Sequence, residues 1–516
     1  MSGKEAGESA PPVEIPMTEA KPRPARKARR RFPVLRRLGQ LFSGLVMLGL
    51  LIFGGAIAAI ETGLFDAMLN ERAQAALNDA LGPRFMAKVG STAIRLTADG
   101  KLALEARHVD TIDLATGQHM SQAASIRLAV DPKALFSGEI AVNHIEADDV
   151  EVDATLLPSG KPLDLKALRV DQVPAALESL FLQLDTLGGV VTRAHTDSVS
   201  ISSISLIVPA GGDEPLSIAL QELDLKRNAE GSIALDGKLT IDDVTSMISG
   251  RLETQDGMTR GFQATITEVP LTRFLLTYDS DGDPHMGLDG RARLDLSATR
   301  AVEDTPPALS LKASIDNATF YADSIDQSLD RADINAVYDF AKNSIEVLPS
   351  RLQFGGTAIP FTAGLIDLDR LNPQAAQGFG IDLLVSDGVS APAGTGVGPL
   401  AFGARVTGRY VTGIKEIQLE QMAASTPIGT LAGSMVIRFK GAGSPEISFG
   451  AQSPKLQTEA VKQMWPFWMG AKARTWALAN IYGGTITNAA ISVFIPQGRF
   501  PKGGGPLHLD ENELNI

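Results

Sequence analysis

The chain has no cysteine, which excludes disulfides, thiolate catalysis and cysteine-ligated zinc, and is compatible with any redox compartment. Its six histidines are scattered, leaving little for metal chemistry. Aromatic residues make up only 5% of 516 positions, and all three tryptophans fall within MWPFWMGAKARTW at 464–476. One sign of charge is scarce after the N-terminus. Residues 1–37 hold ten Lys/Arg against four Glu, a net of +6, so with −13 overall the remainder carries −19. An acidic bulk argues against nucleic acid as a partner.

What is present begins with a membrane signal. Residues 1–33 have the Pro/Ala/charge-rich composition of a disordered tail. From Leu38 to Ile60 no residue is charged, and a helix of that length rises roughly 34 Å at ~1.5 Å per residue, enough to cross a bilayer. Nine Lys/Arg precede it between Lys21 and Arg37, whereas Glu61 and Asp66 follow. The positive-inside rule then places the N-terminus in the cytoplasm and the bulk of the chain across the membrane. A cleavable signal peptide is the alternative, since Ala56-Ile57-Ala58 resembles a cleavage site, but the apolar run is long for one. With 34–61 as the membrane segment, 62–83 reads as an amphipathic helix stopped by Gly82-Pro83.

The rest is repetitive. Period-2 alternation recurs in short bursts, as in Leu216/Ile218/Leu220, Ile233/Leu235, Leu294/Leu296 and Leu309/Leu311. Asp-Gly turn signals separate them at 236–237, 256–257 and 289–290. In EIAVNHIEADDVEVDA the apolar phase moves from Val142 to Ile145 and back to Val150, and each switch implies a bulge or a break. Helices are few: Pro174–Leu184, a turn at Pro270–Leu275, and a pair around the tryptophans. The expected class is mainly β: an elongated, curved antiparallel sheet with a few short helices behind a transmembrane helix. An apolar sheet face must be buried against something. Either sheets close as sandwiches, or the face lines an open groove filled by something greasy, for which acyl chains are suited.

Chemical motifs fail on inspection. The run from Asp279 to Asp283 starts like a calcium loop, but Pro284 and Gly290 stand where Gly and Glu are needed. GSIALDGK at 231–238 misses the phosphate-loop spacing, and Leu239 replaces the magnesium-holding hydroxyl. His108, His119, His144 and His195 sit singly, and Asp148-Asp149 and Asp242-Asp243 abut turns. Nothing converges on an enzyme, a metal or a cofactor.

Two stretches carry a family resemblance. Residues 103–154, with Ala123, Ile126 and Leu128 before the Leu135–Gly138 turn and a phase switch from Val142 to Ile145, resemble the N-terminal region of AsmA-like proteins. Residues 464–496, with Pro466, Trp476, Gly483-Gly484 and a following strand, resemble a domain of unknown function in the YhdP-like branch. The regions are then an AsmA-like β-region at 84–160, a repetitive β-groove at 161–454, and a helix pair with strands at 455–516. The resemblance implies a bridge-like lipid transfer protein. It would be single-pass in the inner membrane of a Gram-negative bacterium, its bulk periplasmic, passively conducting phospholipids toward the outer membrane. It implies phospholipid acyl chains as cargo, the inner membrane as partner through 38–60, and outer-membrane or periplasmic proteins as further partners. Such relatives run longer, and the chain ends in HLDENELNI within a strand-like alternation, so a fragment is expected.

The positions expected to face lipid are Ile126, Leu128, Val130, Leu216, Ile218, Leu220, Ile233, Leu235, Leu294, Leu296, Leu309 and Leu311. Trp465, Pro466, Trp468, Trp476, Gly483 and Gly484 are expected to form a helical interruption or gate, with Trp476 aimed at the sheet. Two other readings remain at this point: a membrane-tethered scaffold for envelope assembly, and a glycan platform built on the tryptophans.

Overall fold

Alternating aliphatic and polar side chains suit a pleated, half-buried backbone, and the computed structural model gathers 23 strands into one sheet. It describes residues 66–515, apart from 97–101, 131–141, 153–169, 209–215, 369–377, 440–443, 466–470, 500–509 and a few turn positions. The expected tail and membrane span at 1–33 and 34–61 lie outside the described residues, as does His195. Among the described residues no helix is long and apolar enough to cross a membrane. The chain divides into Met1–Phe65 and Asp66–Ile516, and the sheet belongs to the second unit.

Helix α1 (Asp66–Leu81) ends at the expected stop. Gly82 takes φ +83° and donates its N–H to the Asn78 carbonyl at 2.9 Å, a left-handed termination that glycine permits. Strands β1 (Phe85–Leu96), β2 (Leu102–Asp113), β3 (His119–Val130) and β4 (Val142–Val152) follow as antiparallel neighbours. Strand β5 (Ser198–Val208) is parallel to β4. A parallel pair needs a crossover, and this one carries α2 (Val173–Arg193).

From β5 onward the sheet is a meander of antiparallel neighbours. It runs through β6 (Leu216–Arg227), β7 (Ile233–Ile241), β8 (Val244–Gln255) and β9 (Met258–Pro270). There α3 (Thr272–Leu275) interrupts it, at the turn expected from the sequence. The chain continues into β10 (Leu276–Tyr278), returns as β11 (Pro284–Asp289), and proceeds as β12 (Arg291–Thr299) beside β9. Strand β13 (Ala308–Ala322) pairs with both β12 and β11. The meander then passes through β14 (Ile325–Asp339), β15 (Ser344–Phe354), β16 (Thr357–Asp367), β17 (Gly378–Ser390) and β18 (Leu400–Val411). It closes with β19 (Glu416–Thr426), β20 (Gly429–Arg438), β21 (Glu446–Gln457) and β22 (Thr485–Ile495). The two-residue β23 (Leu514–Asn515) adds a last pairing. Between β21 and β22 lie α4 (Thr458–Met464) and α5 (Ala471–Asn480).

Irregularities recur from strand to strand. His108 (φ +51°) lies between the pairs Arg107–Ser91 and Val109–Val89, opposite Gly90. Asp149 (φ +52°) and Ser203 (φ +56°) occupy matching places on β4 and β5. Further along, register slips take over, between β9 and β12 beside Glu268 and in every pairing from β14–β15 to β20–β21. An extra or left-handed residue bends its strand and restarts the in–out alternation. The phase switches read at 142–150 have this cause: the register slips beside Val142, and Asp149 is left-handed. The product is one long, curved, open and groove-like sheet rather than a sandwich.

Two helices pack on the apolar face. Ala73 and Leu77 of α1, Leu177 and Phe181 of α2, and Leu128, Leu225 and Phe262 of the strands belong to one buried cluster. A cluster that links strands from β1 to β12 through these helices makes the apolar face the concave one. The sequence predicts the second helix over Pro174–Leu184; it runs on to Arg193, through Gly188-Gly189. A Cβ on Gly188 would stand 3.5 Å from Ile233 Cδ1. That is an ordinary contact, so the position does not require glycine; burial of Leu177, Phe181 and Val191 on the sheet outweighs the ~1 kcal/mol that glycine costs inside a helix. Asp185 accepts the Thr259 N–H at 2.5 Å. Arg300 binds Asp185 (2.9 Å) and Glu178 (3.1 Å) while lying 4.8 Å over the Phe181 ring.

Candidate functional site

Cross-strand pairing aligns the concave face into a ladder. It starts at Ile94, Leu104, Leu128, Ile145, Val199 and Leu225, one residue on each of β1 to β6. It continues through Leu235, Gly250, Ala264, Leu296 and Leu311. Ala336, Val347, Ala363, Leu383 and Val406 carry it to β18. Met422, Gly433, Ala451 and Ile491 complete it on β22. Each residue is the register partner of the next, and none is polar. At ~4.8 Å per strand the ladder extends roughly 90 Å.

The adjoining row on the convex face has the opposite chemistry. Glu105, Arg127, Glu146, Ser200, Asp224 and Asp236 are successive partners, and Thr265, Asp295, Lys312 and Asn335 follow after Ser249. Opposite charges meet across strands, as in Arg127 with Glu105 and Glu146, both at 3.3 Å. Partial burial disfavours the charged Arg127, but Glu146, Asp148 and Glu105 outweigh it and raise its pKa. The Arg293 hydrogen bond, followed by that of Thr265, lowers the pKa of Asp295. Arg331 does the same for Asp333. Polar residues outside and aliphatic residues inside define a trough.

The trough has a filled section and an open one. Under α1 and α2 the ladder residues Leu104, Leu128, Ile145, Val199 and Leu225 are at most 5% exposed. Beyond them Leu311 is 38% exposed, and Ala336, Val347, Ala363, Leu383, Val406 and Met422 are half-buried. Among the described residues no second layer covers this stretch. A hollow of about 780 Å³ opens near its far end, where Ala404, Ala424 and Ala489 leave room beside Val385 and Ser453.

The residues anticipated for the groove divide between these sections. Leu128 and Ile233 are 1% exposed, and Ile126, Leu235, Leu296 and Leu309 pack on the same cluster as the helices. They form a core, because α2 occupies the space a ligand would need. Leu220 packs against Leu239 and Ile241, and Leu294 against the cluster around Ile315. Leu311 faces open trough. Val130, Leu216 and Ile218 hold strand positions paired to Val142, Val208 and Leu206. Sequence reasoning missed the open lining from β14 to β22. Its strands alternate as regularly as the others, and only register shows which residues form one row.

The tryptophan region needs a correction. Trp476 is not aimed at the sheet: it is 62% exposed, and among the described side chains of α5 it is Ala477 that is buried. The contact face is set by Lys462 of α4, whose Nζ donates to the Leu478 carbonyl at 3.0 Å, and by Arg474, which donates to the Trp465 carbonyl at 3.2 Å. Trp465 caps α4, with its N–H on the Val461 carbonyl. Gly484 takes φ +118°, and its carbonyl accepts from both the N–H and the hydroxyl of Thr458. Gly483 precedes it as an exposed linker residue. Pro466 and Trp468 lie outside the described residues. The helices are braced to the sheet through α4: the side-chain amide of buried Gln463 donates to the Val397 and Gly398 carbonyls, and its backbone carbonyl accepts from the Ser390 hydroxyl.

No family model, curated protein or solved structure matches the chain.

Proposed function

We propose that this chain is a lipid conduit of the AsmA-like type, YhdP-like branch. It is anchored in the inner membrane through 38–60 and conducts phospholipids along the trough toward the outer membrane. The observation that carries the reading is the apolar ladder, unbroken over twenty strands and, among the described residues, uncovered over its second half. Acyl chains lie in the trough and headgroups remain in water. The driving force is burial of apolar surface at about 25 cal/mol per Å², so no reacting group is required. Uniform, shallow contact suits passage, because each lipid must leave as the next arrives. Outer-membrane or periplasmic proteins at the far end complete the route.

A charge placed across the open section tests this. Val406→Glu together with Met422→Glu puts two carboxylates on neighbouring rungs of a half-exposed face, where water still solvates them. The expected result is loss of lipid movement between membranes and of outer-membrane barrier function in cells, with protein level and protease resistance retained. Full function in a correctly folded double variant overturns the conduit reading and favours a membrane-tethered scaffold.

A further inference from the structure

The segment inserted between β21 and β22 differs in composition from everything around it. Residues 458–484 contain Lys462, Lys472 and Arg474 against a single acid, Glu459, in a chain of net charge −13. Two of these cations turn inward: Lys462 and Arg474 hold the carbonyls of Leu478 and Trp465. The outer face of α5 presents Lys472 and Trp476, one helical turn apart and both exposed. Tyr482 follows just past the helix end. Trp476 is 62% exposed and Tyr482 90% exposed, in a chain with only three Trp and five Tyr.

Leaving two large aromatic rings in water forfeits burial that the apolar trough nearby could supply. The arrangement has the chemistry of a membrane–water interface. Indole and phenol rings sit at headgroup level, and the exposed Lys472, on a helix that itself carries no carboxylate, meets anionic phosphate. Both rings project from a ten-residue helix and the linker behind it, beside the exposed Lys472. We infer that α5 and Tyr482 form a docking surface for an anionic phospholipid bilayer. The surface lies on the sheet margin opposite β1, and its use does not depend on the trough carrying lipid.

The chain provides its own reporter. In full-length protein held in nanodiscs of unlabelled lipid, Trp465→Phe with Trp468→Phe leaves Trp476 as the sole indole. Vesicles with brominated acyl chains are then added, either containing phosphatidylglycerol or made of phosphatidylcholine alone. Trp476 emission is expected to shift to the blue and be quenched by the anionic vesicles only. Lys472→Glu should weaken that binding about fivefold or more for the lost cation. The Val406→Glu, Met422→Glu pair should leave quenching intact, which separates this surface from lipid held in the trough. In case the double Phe variant misfolds, Trp476→Ser in otherwise native protein should reduce flotation with anionic vesicles. Emission or flotation unaffected by anionic vesicles overturns the inference and leaves the patch to a protein partner. Equal responses to both vesicle types overturn its electrostatic half.

Discussion

At the residue scale, identical side chains on one ladder do different work. Leu128 is 1% exposed beneath α1 and α2, whereas Leu383 is half-buried on the uncovered stretch. Leu128→Ala removes a packed methylene cluster and should destabilise the fold by about 2–5 kcal/mol. Leu383→Ala removes little packing and should cost about 1 kcal/mol or less. Urea midpoints of the two variants check the contrast; equal losses would mean that the far section is covered as tightly as the near one. Trp476 shows what residue-level reading misses. Its spacing places it on one helical face with Ala473, Ala477 and Asn480. Yet small Ala477 makes the contact while the large ring stays outside, and a helical wheel alone cannot choose between them.

At the element scale, the sequence was legible where local chemistry decides. The Gly82-Pro83 stop, the turn at Pro270–Leu275 and the phase switches around Asn143 and Asp149 all appear where alternation or turn residues mark them. The extent of α2 was hidden, because Gly188-Gly189 favours helix weakly and the packing that carries the helix through it, with Phe181 and Val191 buried against the sheet, is distant in the chain. The convex face holds its own test. Asp295, Asp333 and Asp339 have lowered pKa values, caused mainly by hydrogen bonds from Arg293, Arg331 and Lys342 respectively. A carboxylate with a depressed folded-state pKa stabilises the fold above its unfolded value of about 4, and that contribution disappears as pH falls through the depressed value. Urea stability should therefore drop as pH is taken from about 5 to below 3. Asp295→Asn with Asp333→Asn should start lower at neutral pH and lose less on acidification. A double variant with an unchanged pH slope would remove these pairs from the account.

At the scale of the whole molecule, the decisive property is register. Alternation along each strand was visible in the sequence, and it correctly foretold a mainly β chain with one apolar face. The choice between sandwich and open groove was not visible. It depends on whether successive strands keep their apolar rows aligned through many bulges, and bulge positions emerge from pairing between strands. Leu296, Leu311, Ala336 and Val347 look unrelated in sequence, yet they are consecutive rungs. The filled section was equally invisible, since α2 reaches the sheet through contacts distant in the chain, such as Asp185 with Thr259. Everything proposed for the trough rests on acyl chains as its cargo. The most direct measurement of that cargo places a photo-crosslinking residue at Leu311, Leu383 or Met422 in cells and identifies the adducts by mass spectrometry. Lys312, Asp382 and Gln421 on the convex face and Leu128 in the filled section serve as comparisons. Phospholipid adducts are expected at the three open rungs and none at the comparison sites. Absence of phospholipid from Leu311, Leu383 and Met422, or equal capture on both faces, would contradict it.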